Sequence, residues 1–236
     1  FEALRLTFQV SVAAENDASN GEPLMDAAKL PSGDWLAVGA FGRVLRSADN
    51  GTSWVEDGIP GLIDWHLNTI VSSADGNKWL IAGEAGTLLR SLDGGSSWEV
   101  IVPFYNGSLY GALHVGGSTW ISYGMRGHVF HSEDDGATWQ EASIPVPVSI
   151  YGHAQTRDGT LLLVGQGGLV LASTDQGQNF KVIDRSPEGA LTGITLLTDG
   201  RAVLTSDGGL DIRMLPATRP APGSHLNLSK NTSGES

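Results

Sequence analysis

The sequence contains no cysteine, few positive charges and no long apolar run. The absence of cysteine excludes disulfides, thiolate metal sites and cysteine nucleophiles. With 14 basic against 26 acidic residues, the formal net charge is −12, which argues against DNA or RNA as a partner. No stretch approaches the ~20 consecutive apolar residues of a membrane-spanning helix, so we do not expect the chain itself to cross a membrane.

Glycine, by contrast, is abundant, with 32 residues among 236, whereas charged residues make up only 17%. This composition is typical of many tight turns between short strands. Hydrophobic residues make up 40% of the chain, which predicts a folded core over most of its length. The chain opens on Phe1 and not on Met, from which we expect a trimmed N-terminus that can have lost an export signal.

One short motif, S-x-D-x-G-x-x-aromatic, occurs four times at intervals of 41 to 44 residues. A fixed period of this length predicts a repeat architecture. The Ser and Asp side chains can bond backbone N–H groups across a turn, the Gly permits a positive φ, and the aromatic ring can pack on the hairpin. We therefore predict a structural role for the motif residues, which are Ser47, Asp49, Gly51, Trp54, Ser91, Asp93, Gly95, Trp98, Ser132, Asp134, Gly136, Trp139, Ser173, Asp175, Gly177 and Phe180.

A second motif, G-x-x-G, precedes each copy of the first, and residues 206–209 form a degenerate fifth copy. Each unit contains four short apolar stretches bounded by turns; in the second unit we expect strands at 69–73, 79–82, 87–90 and 98–102. Antiparallel four-stranded units of this length are β-propeller blades. The sequence thus predicts an all-β fold, a β-propeller with five blade units at about 24–59, 65–102, 108–144, 149–185 and 190–215.

The fifth unit supplies only three strands, and the N-terminus offers a fourth. Residues 4–10 alternate apolar and polar side chains, so we expect them to complete the last blade and close the ring. Residues 1–217 are then a single propeller domain, and the Pro-containing residues 218–236 are a flexible tail or linker. The alternative is that the five units belong to a larger ring.

The first motif resembles the BNR or Asp-box repeat, in which the Asp turn is a structural staple. A calcium role for its aspartates is the weaker alternative, because the turn is too short to gather six to eight oxygen ligands. The six histidines are scattered over different units without metal-ligand spacing. We therefore predict neither a metal site nor a cofactor.

Function in a repeat fold is expected where the units differ. The differences concentrate on the face that carries the GxxG turns and the connections between blades. There, one column at the start of the innermost strands is expected to hold Met25, Thr69, Tyr110, Tyr151 and Thr192. Two interpretations remain open, a binding pocket at the axis or a channel filled by side chains. The candidate binding residues are Trp65, His66, Glu84, Tyr105, Tyr110, Arg126, Tyr151 and His153.

Asp-box propellers include sialidases and other glycoside hydrolases, so a carbohydrate-binding or carbohydrate-cleaving propeller is the alternative function. Such a hydrolase needs two carboxylates flanking the scissile bond. Only Asp64, Glu84 and Asp207 fall on the variable face, and the Arg-Ile-Pro or Arg-Leu-Pro motif of sialidases is absent. We predict no catalytic residue; were the chain an enzyme, we would expect a glycoside hydrolase.

The longer pattern G-x-x-G-x-apolar-x-x-S-x-D-x-G-x-x-W resembles the photosystem II assembly and stability factor family and its non-photosynthetic bacterial relatives, over about residues 24–215. The resemblance implies a non-catalytic binding propeller exported to the periplasm, or to the thylakoid lumen in photosynthetic members. Relatives in other bacteria are often encoded beside large inner-membrane exporters. The photosynthetic members have seven blades and an arginine patch, whereas this sequence has five units and dispersed arginines, which favours the non-photosynthetic relatives.

Together these observations predict an exported scaffold, periplasmic in a non-photosynthetic source. We expect it to bind a protein or a membrane-protein complex through the GxxG face, as an assembly factor or an exporter accessory. A small carbohydrate is the alternative ligand.

Overall fold

In the part of the chain that the structure describes, nineteen strands form five antiparallel sheets, one for each predicted repeat unit. The structure is a computed structural model that describes residues 21–185 and 189–216; the strand predicted at 4–10 and the tail predicted at 218–236 lie outside these ranges. Four sheets have four strands, and the fifth has three within the described residues. The predicted all-β fold of five repeated antiparallel sheets is confirmed.

The strands follow each other in the same order in every sheet, and we call the sheets blades 1 to 5. Blade 1 contains β1 (Leu24–Lys29), β2 (Trp35–Gly39), β3 (Val44–Ser47) and β4 (Val55–Glu56). Blade 2 contains β5 (Leu67–Ser72), β6 (Trp79–Gly83), β7 (Leu88–Ser91) and β8 (Glu99–Val100). Blade 3 contains β9 (Leu109–Gly116), β10 (Thr119–Gly124), β11 (Val129–Ser132) and β12 (Gln140–Glu141). Blade 4 contains β13 (Ile150–Gln155), β14 (Leu161–Gly165), β15 (Leu169–Ser173) and β16 (Lys181–Arg185). Blade 5 contains β17 (Leu191–Leu196), β18 (Ala202–Ser206) and β19 (Gly209–Arg213).

Apolar side chains from both faces of the blades fill the spaces between neighbours. Leu36 and Val38 of blade 1 pack with Ile81 of blade 2, and three further clusters join blades 2 and 3, 3 and 4, and 4 and 5 in the same manner. The second strands of blades 2, 3 and 4 are wholly buried because each of these blades lies between two such clusters. At ~25 cal/mol per Å² of apolar surface removed from water, this burial is the main stabilising term of the fold.

The four Asp turns, which are the S-x-D-x-G motifs, connect the third and fourth strands of blades 1 to 4. In blade 2 the buried Ser91 Oγ accepts a hydrogen bond from the Gly95 N–H (2.9 Å) and donates to Asp93 Oδ1 (2.8 Å). Asp93 in turn accepts from the Ser97 N–H (2.9 Å) and the Ser97 hydroxyl (2.6 Å). The same bonds recur in the other three turns.

The residue directly before the aromatic also belongs to this hydrogen-bond network. The motif S-x-D-x-G-x-x-aromatic leaves that position unspecified and so does not indicate its role. Its hydroxyl or amide group donates to the second carboxylate oxygen of the aspartate in all four turns, from Ser53, Ser97, Thr138 and Asn179. The bonds from Ser97 and Ser91 lower the pKa of Asp93 to about 2, and those from Ser53 and Ser47 do the same for Asp49. The carboxylates are thus occupied as acceptors within their own turns, which fits the structural role.

We predict that Ser91→Ala destabilises the protein whereas Ser96→Ala in the same turn does not. Loss of the Ser91 hydroxyl leaves the buried Gly95 N–H without an acceptor and should lower the free energy of unfolding by about 1–2 kcal/mol. The exposed Ser96 hydroxyl donates only to the Asp93 carbonyl, and its removal should cost less than ~0.5 kcal/mol. Urea unfolding of the two variants measures the difference, and equal midpoints would contradict the structural role of the motif.

Candidate functional site

The face opposite the Asp turns carries the GxxG turns, which connect the second and third strands, and the connections from each blade to the next; we call it the GxxG face. Backbone bonds fix each turn to its connections. In blade 1, the Gly42 N–H donates to the Trp65 carbonyl and the Ala40 N–H to the Pro23 carbonyl (2.8 and 2.9 Å). In blade 2, a Cβ on Gly86 would lie 2.0 Å from the Tyr105 carbonyl oxygen, so only glycine fits.

The third residue of the turn has a left-handed backbone in blades 1 to 4 and varies in chemistry. Phe41, Ala85 and Arg126 hold this position with φ near +55°, a conformation that is uncommon outside glycine. Phe41 and Arg126 are exposed. The backbone conformation at this position is therefore the same from blade to blade, whereas the side chain differs.

Every innermost strand also carries a β-bulge close to the GxxG face, where one residue is left out of the pairing with the second strand. A bulge re-aims a side chain and recurs near functional sites. The residues at the bulge are Met25, Asn68, Tyr110, Tyr151 and Thr192.

The prediction that Thr69 belongs to this column is wrong, because the strand register places Asn68 there. Thr69 is buried one residue further on, and its hydroxyl donates to Asp26 Oδ2 of blade 1 (3.0 Å). The sequence alignment slipped by one residue because the turn between β5 and β6 is one residue longer than its counterpart in blade 1, with six residues (73–78) against five (30–34) between the paired strand ends. Thr69 therefore joins two blades.

Two of the bulge residues, Tyr110 and Tyr151, come from neighbouring blades and contact each other. Their ring centroids are 5.8 Å apart at an interplanar angle of 34°. Burial raises the pKa of Tyr110, and the charges of Tyr151 and Glu84 raise it further. The structure thus brings together three of the predicted site residues, Tyr110, Tyr151 and Glu84.

A second group of site residues lies where blade 1 meets blade 2. Trp65 is 44% exposed, and Phe41 and Ile63 beside it are 56% and 64% exposed. The His66 ring contacts Phe41 edge-on at 5.0 Å, and the His66 N–H donates to Glu84 Oε2 (3.1 Å). We call Phe41, Ile63 and Trp65 the apolar patch, because the backbone bond between Gly42 and Trp65 joins the two segments that carry them. Single exposed apolar residues are ordinary, whereas several in adjoining segments are a candidate interaction site.

Phe41 and Ile63 were missing from the predicted site. The sequence signal for both was present, since each is a large apolar residue in a segment where the repeat requires none. Ile63 directly precedes the Asp64-Trp65-His66 segment. What the sequence does not show is that the Gly42–Trp65 backbone bond places the two segments side by side.

Tyr105 and Arg126 lie where blade 2 meets blade 3. The Tyr105 ring packs on Phe130 and His128 at centroid distances of 5.2 and 4.7 Å, and its hydroxyl donates to the Met125 carbonyl (3.3 Å). Burial raises the pKa of Tyr105, whereas the charge of Arg126 opposes that rise. Tyr105 therefore fastens a connection, while the exposed Arg126 guanidinium forms no ion pair with the residues that the structure describes.

His153 lies deeper along its strand than the other predicted residues. Its Nδ1 forms a hydrogen bond with the Tyr123 hydroxyl (2.7 Å), so it joins blades 3 and 4. It also lines a cavity of about 540 Å³ between the innermost strands of blades 2 to 5, together with Ser72, His114, Gln155 and Thr195. Of the eight predicted site residues, His153 alone lines this cavity; the others lie toward the GxxG face.

No protein-family model and no curated protein matches this chain. Among solved structures, it is similar to YCF48 bound to a D1 peptide, with 19% identity and a TM-score of 0.63 over 81% of this chain and 64% of that one. YCF48 from Cyanidioschyzon merolae gives 18% identity and a TM-score of 0.63 over 86% and 69% of the two chains. An ancestral GH74 enzyme gives 20% and 0.63 over 78% of this chain and 28% of its own length.

These likenesses define the class of protein by its fold, a β-propeller. The identities are too low to carry more than the fold. This chain also spans 64% of the peptide-bound YCF48 chain, which is less than two thirds of its length. Within residues 21–185 and 189–216, no helix has the length and apolarity to cross a membrane.

We predict that Glu84→Gln lowers the pKa of Tyr110. The substitution removes a negative charge that disfavours the tyrosinate, while the amide oxygen can still accept from the His66 N–H. Ultraviolet titration of tyrosine absorbance, with Tyr110→Phe identifying the signal, measures the change. Glu141→Gln is the matched control, since Glu141 affects Tyr105 and not Tyr110. If the pKa of Tyr110 is unchanged in Glu84→Gln, the Glu84 carboxylate does not lie close enough to Tyr110 to affect its ionisation.

Proposed function

We propose that this chain is a non-catalytic, exported scaffold that binds a protein or a membrane-protein complex through the GxxG face. The observation that carries the proposal is the apolar patch, three large exposed side chains in two segments that a backbone hydrogen bond from Gly42 to Trp65 joins. Aromatic side chains such as Trp65 are favoured anchors in protein interfaces, and rigid presentation lowers the entropic cost of binding.

The charged and aromatic residues beside the patch supply specificity. Arg126 can pair with a carboxylate of the partner, since no described residue forms an ion pair with it. The tyrosine pair at the bulges offers two ring faces and hydroxyl groups next to Glu84. An extended segment of a partner could contact the patch, Glu84 and the tyrosines in turn as it crosses blades 1 to 4.

The fold comparison supports a peptide or protein as the ligand, since a structure of similar fold holds a D1 peptide. We further propose that the chain lies outside the cytoplasm, as an assembly-factor-like protein or an accessory of an inner-membrane exporter, in line with what the resemblance of its repeat pattern implies. The negative net charge of −12 fits a scaffold that avoids nucleic acid.

We predict that Trp65→Ala and Arg126→Glu each weaken partner binding by about tenfold or more, as expected for interface anchors. The partner is captured from a native membrane extract and identified by mass spectrometry, and its affinity for each purified variant is then measured. Leu92→Ala and Arg157→Glu are the matched controls, because both residues are exposed on the Asp-turn side. Equal loss in the controls, or full binding by both test variants, would contradict the choice of face.

A carbohydrate ligand is the second candidate, since exposed Phe41 and Trp65 rings can stack on sugars and a GH74 enzyme shares the fold. On the proposed function, a glycan panel should show neither binding nor turnover. Turnover that is lost in Glu84→Gln or Asp207→Asn would establish a glycoside hydrolase instead. Binding that is lost in Trp65→Ala without turnover would establish a lectin-like site on the same patch.

A further inference from the structure

Two Asn-Gly pairs lie wholly within the described residues, one at each end of the blades. Asn50-Gly51 belongs to the Asp turn of blade 1, and Asn106-Gly107 belongs to the connection from blade 2 to blade 3 on the GxxG face. Asparagine is thermolabile, and glycine after it favours deamidation because no Cβ keeps the asparagine side chain away from the following backbone nitrogen. Both asparagines are exposed, so accessibility to water does not separate the two sites.

Hydrogen bonds of the Asp turn hold the Asn50-Gly51 peptide in place. The Gly51 N–H donates to the buried Ser47 Oγ (2.8 Å), and Asn50 Oδ1 accepts from Lys29 Nζ (3.2 Å). For deamidation, the Gly51 nitrogen must lose its proton and turn toward the Asn50 side chain. Both steps break the bond to Ser47, so the turn must open before the reaction can begin.

The Asn106-Gly107 peptide has no such restraint. Neither its N–H nor its C=O group forms a hydrogen bond with any residue that the structure describes. The bonds that fix this connection lie on either side of that peptide. The Tyr105 hydroxyl donates to the Met125 carbonyl (3.3 Å), and the Gly107 carbonyl, which belongs to the next peptide, accepts from the Gly86 N–H (2.8 Å). The Gly107 nitrogen can therefore approach the Asn106 side chain without opening a turn.

The fold also requires glycine at position 107. A Cβ there would overlap the Tyr105 hydroxyl group. The Tyr105 ring cannot readily move aside, because it packs on Phe130 and His128 and its hydroxyl is bonded to the next GxxG turn. The glycine that makes Asn106 labile thus has a structural reason to be there.

We propose that Asn106 is a site of spontaneous deamidation in the folded protein, and that the Asp turn of blade 1 protects Asn50. In the reaction, the Gly107 nitrogen forms a bond to Asn106 Cγ while the bond from Cγ to Nδ2 breaks. The side-chain nitrogen leaves as ammonia with the proton that Gly107 gave up. One water molecule then opens the resulting succinimide at either carbonyl, which gives aspartate or isoaspartate at position 106.

Either product changes the GxxG face where blade 2 meets blade 3. Both products add a carboxylate next to Tyr105, a residue whose pKa the charge of Arg126 already affects. A negative charge there attracts the Arg126 guanidinium, which the proposed function assigns to a carboxylate of the partner. Isoaspartate also adds one backbone atom between Tyr105 and Gly107, both of which are bonded to GxxG turns.

Incubation at mildly alkaline pH, followed by peptide mass spectrometry, measures both sites in one sample. Trypsin places Asn106 in peptide 91–126 and Asn50 in peptide 47–78, and fragment spectra locate the converted residue and distinguish isoaspartate from aspartate. In the folded protein we expect Asn106 to convert about tenfold or more faster than Asn50. In the chain unfolded in guanidinium chloride, where the Asp turn is absent, we expect the two sites to convert at similar rates.

Three outcomes would overturn the proposal. The first is an equal rate at the two sites in the folded protein. The second is a conversion of Asn106 that folding slows as strongly as that of Asn50. The third is an equally large difference in the unfolded chain, which would show that the flanking sequence and not the turn protects Asn50.

Ser47→Ala tests the protection independently, in protein that circular dichroism shows to be folded. Loss of the acceptor for the Gly51 N–H should accelerate conversion at Asn50 and leave the rate at Asn106 unchanged. An unchanged rate at Asn50 would contradict protection by the turn.

The effect on recognition rests on the proposed function and is measured separately. Asn106→Gln is the matched variant, since glutamine keeps the amide but would have to form a larger ring, which is slower. We expect aged wild-type protein to bind the partner severalfold more weakly than fresh protein, and aged Asn106→Gln to bind as the fresh variant does. Full binding by converted wild-type protein would overturn this effect. If Trp65→Ala and Arg126→Glu also bind fully, the proposed function itself fails, while the conversion rates, which need no partner, still test the modification.

Discussion

The constraint on which this structure depends is that each blade has two apolar faces and must bury both. A single four-stranded sheet cannot do this, so the blades pack in series, and clusters such as that of Leu36, Val38 and Ile81 fill the spaces between them. The second strands of blades 2 and 4 accordingly have buried residues on both sides, with no polar alternation. The repeat period, the buried tryptophans and the tight turns all follow from this one requirement.

The backbone N–H and C=O groups of the turns need hydrogen-bond partners, and the two ends of the blades supply them in different ways. This difference determines which side chains are available for function. At the Asp turns, side chains form hydrogen bonds with the backbone N–H groups and with each other. The Ser, the Asp and the residue before the aromatic are therefore all engaged in bonds within the turn. At the GxxG turns, the backbone N–H groups donate instead to carbonyl oxygens of the neighbouring connections. The side chains there, Phe41 and Arg126 among them, are left free to differ from blade to blade.

The sequence was sufficient to predict the five units, the turns and the face that varies, because periodicity and glycine spacing are properties of local sequence. In blade 2 the expected strands at 79–82 and 87–90 agree with β6 and β7 to within a residue at each end. The extra residue in the turn between β5 and β6 was not recognised in this way, so Thr69 was predicted where Asn68 lies. Nor could the sequence show that Phe41 lies beside Trp65, or that His153 lies apart from the tyrosine pair, since these depend on contacts between blades.

A bulge at the same place in five strands has a consequence for recognition. One backbone geometry presents Met25, Asn68, Tyr110, Tyr151 and Thr192 at matching positions, so this row of side chains can differ in chemistry while the strands around it stay paired. The tyrosines of blades 3 and 4 make one part of the row aromatic, and the apolar patch lies where blade 1 meets blade 2. A ligand that contacts both must extend across several blades, which favours an extended polypeptide over a compact molecule held at one point.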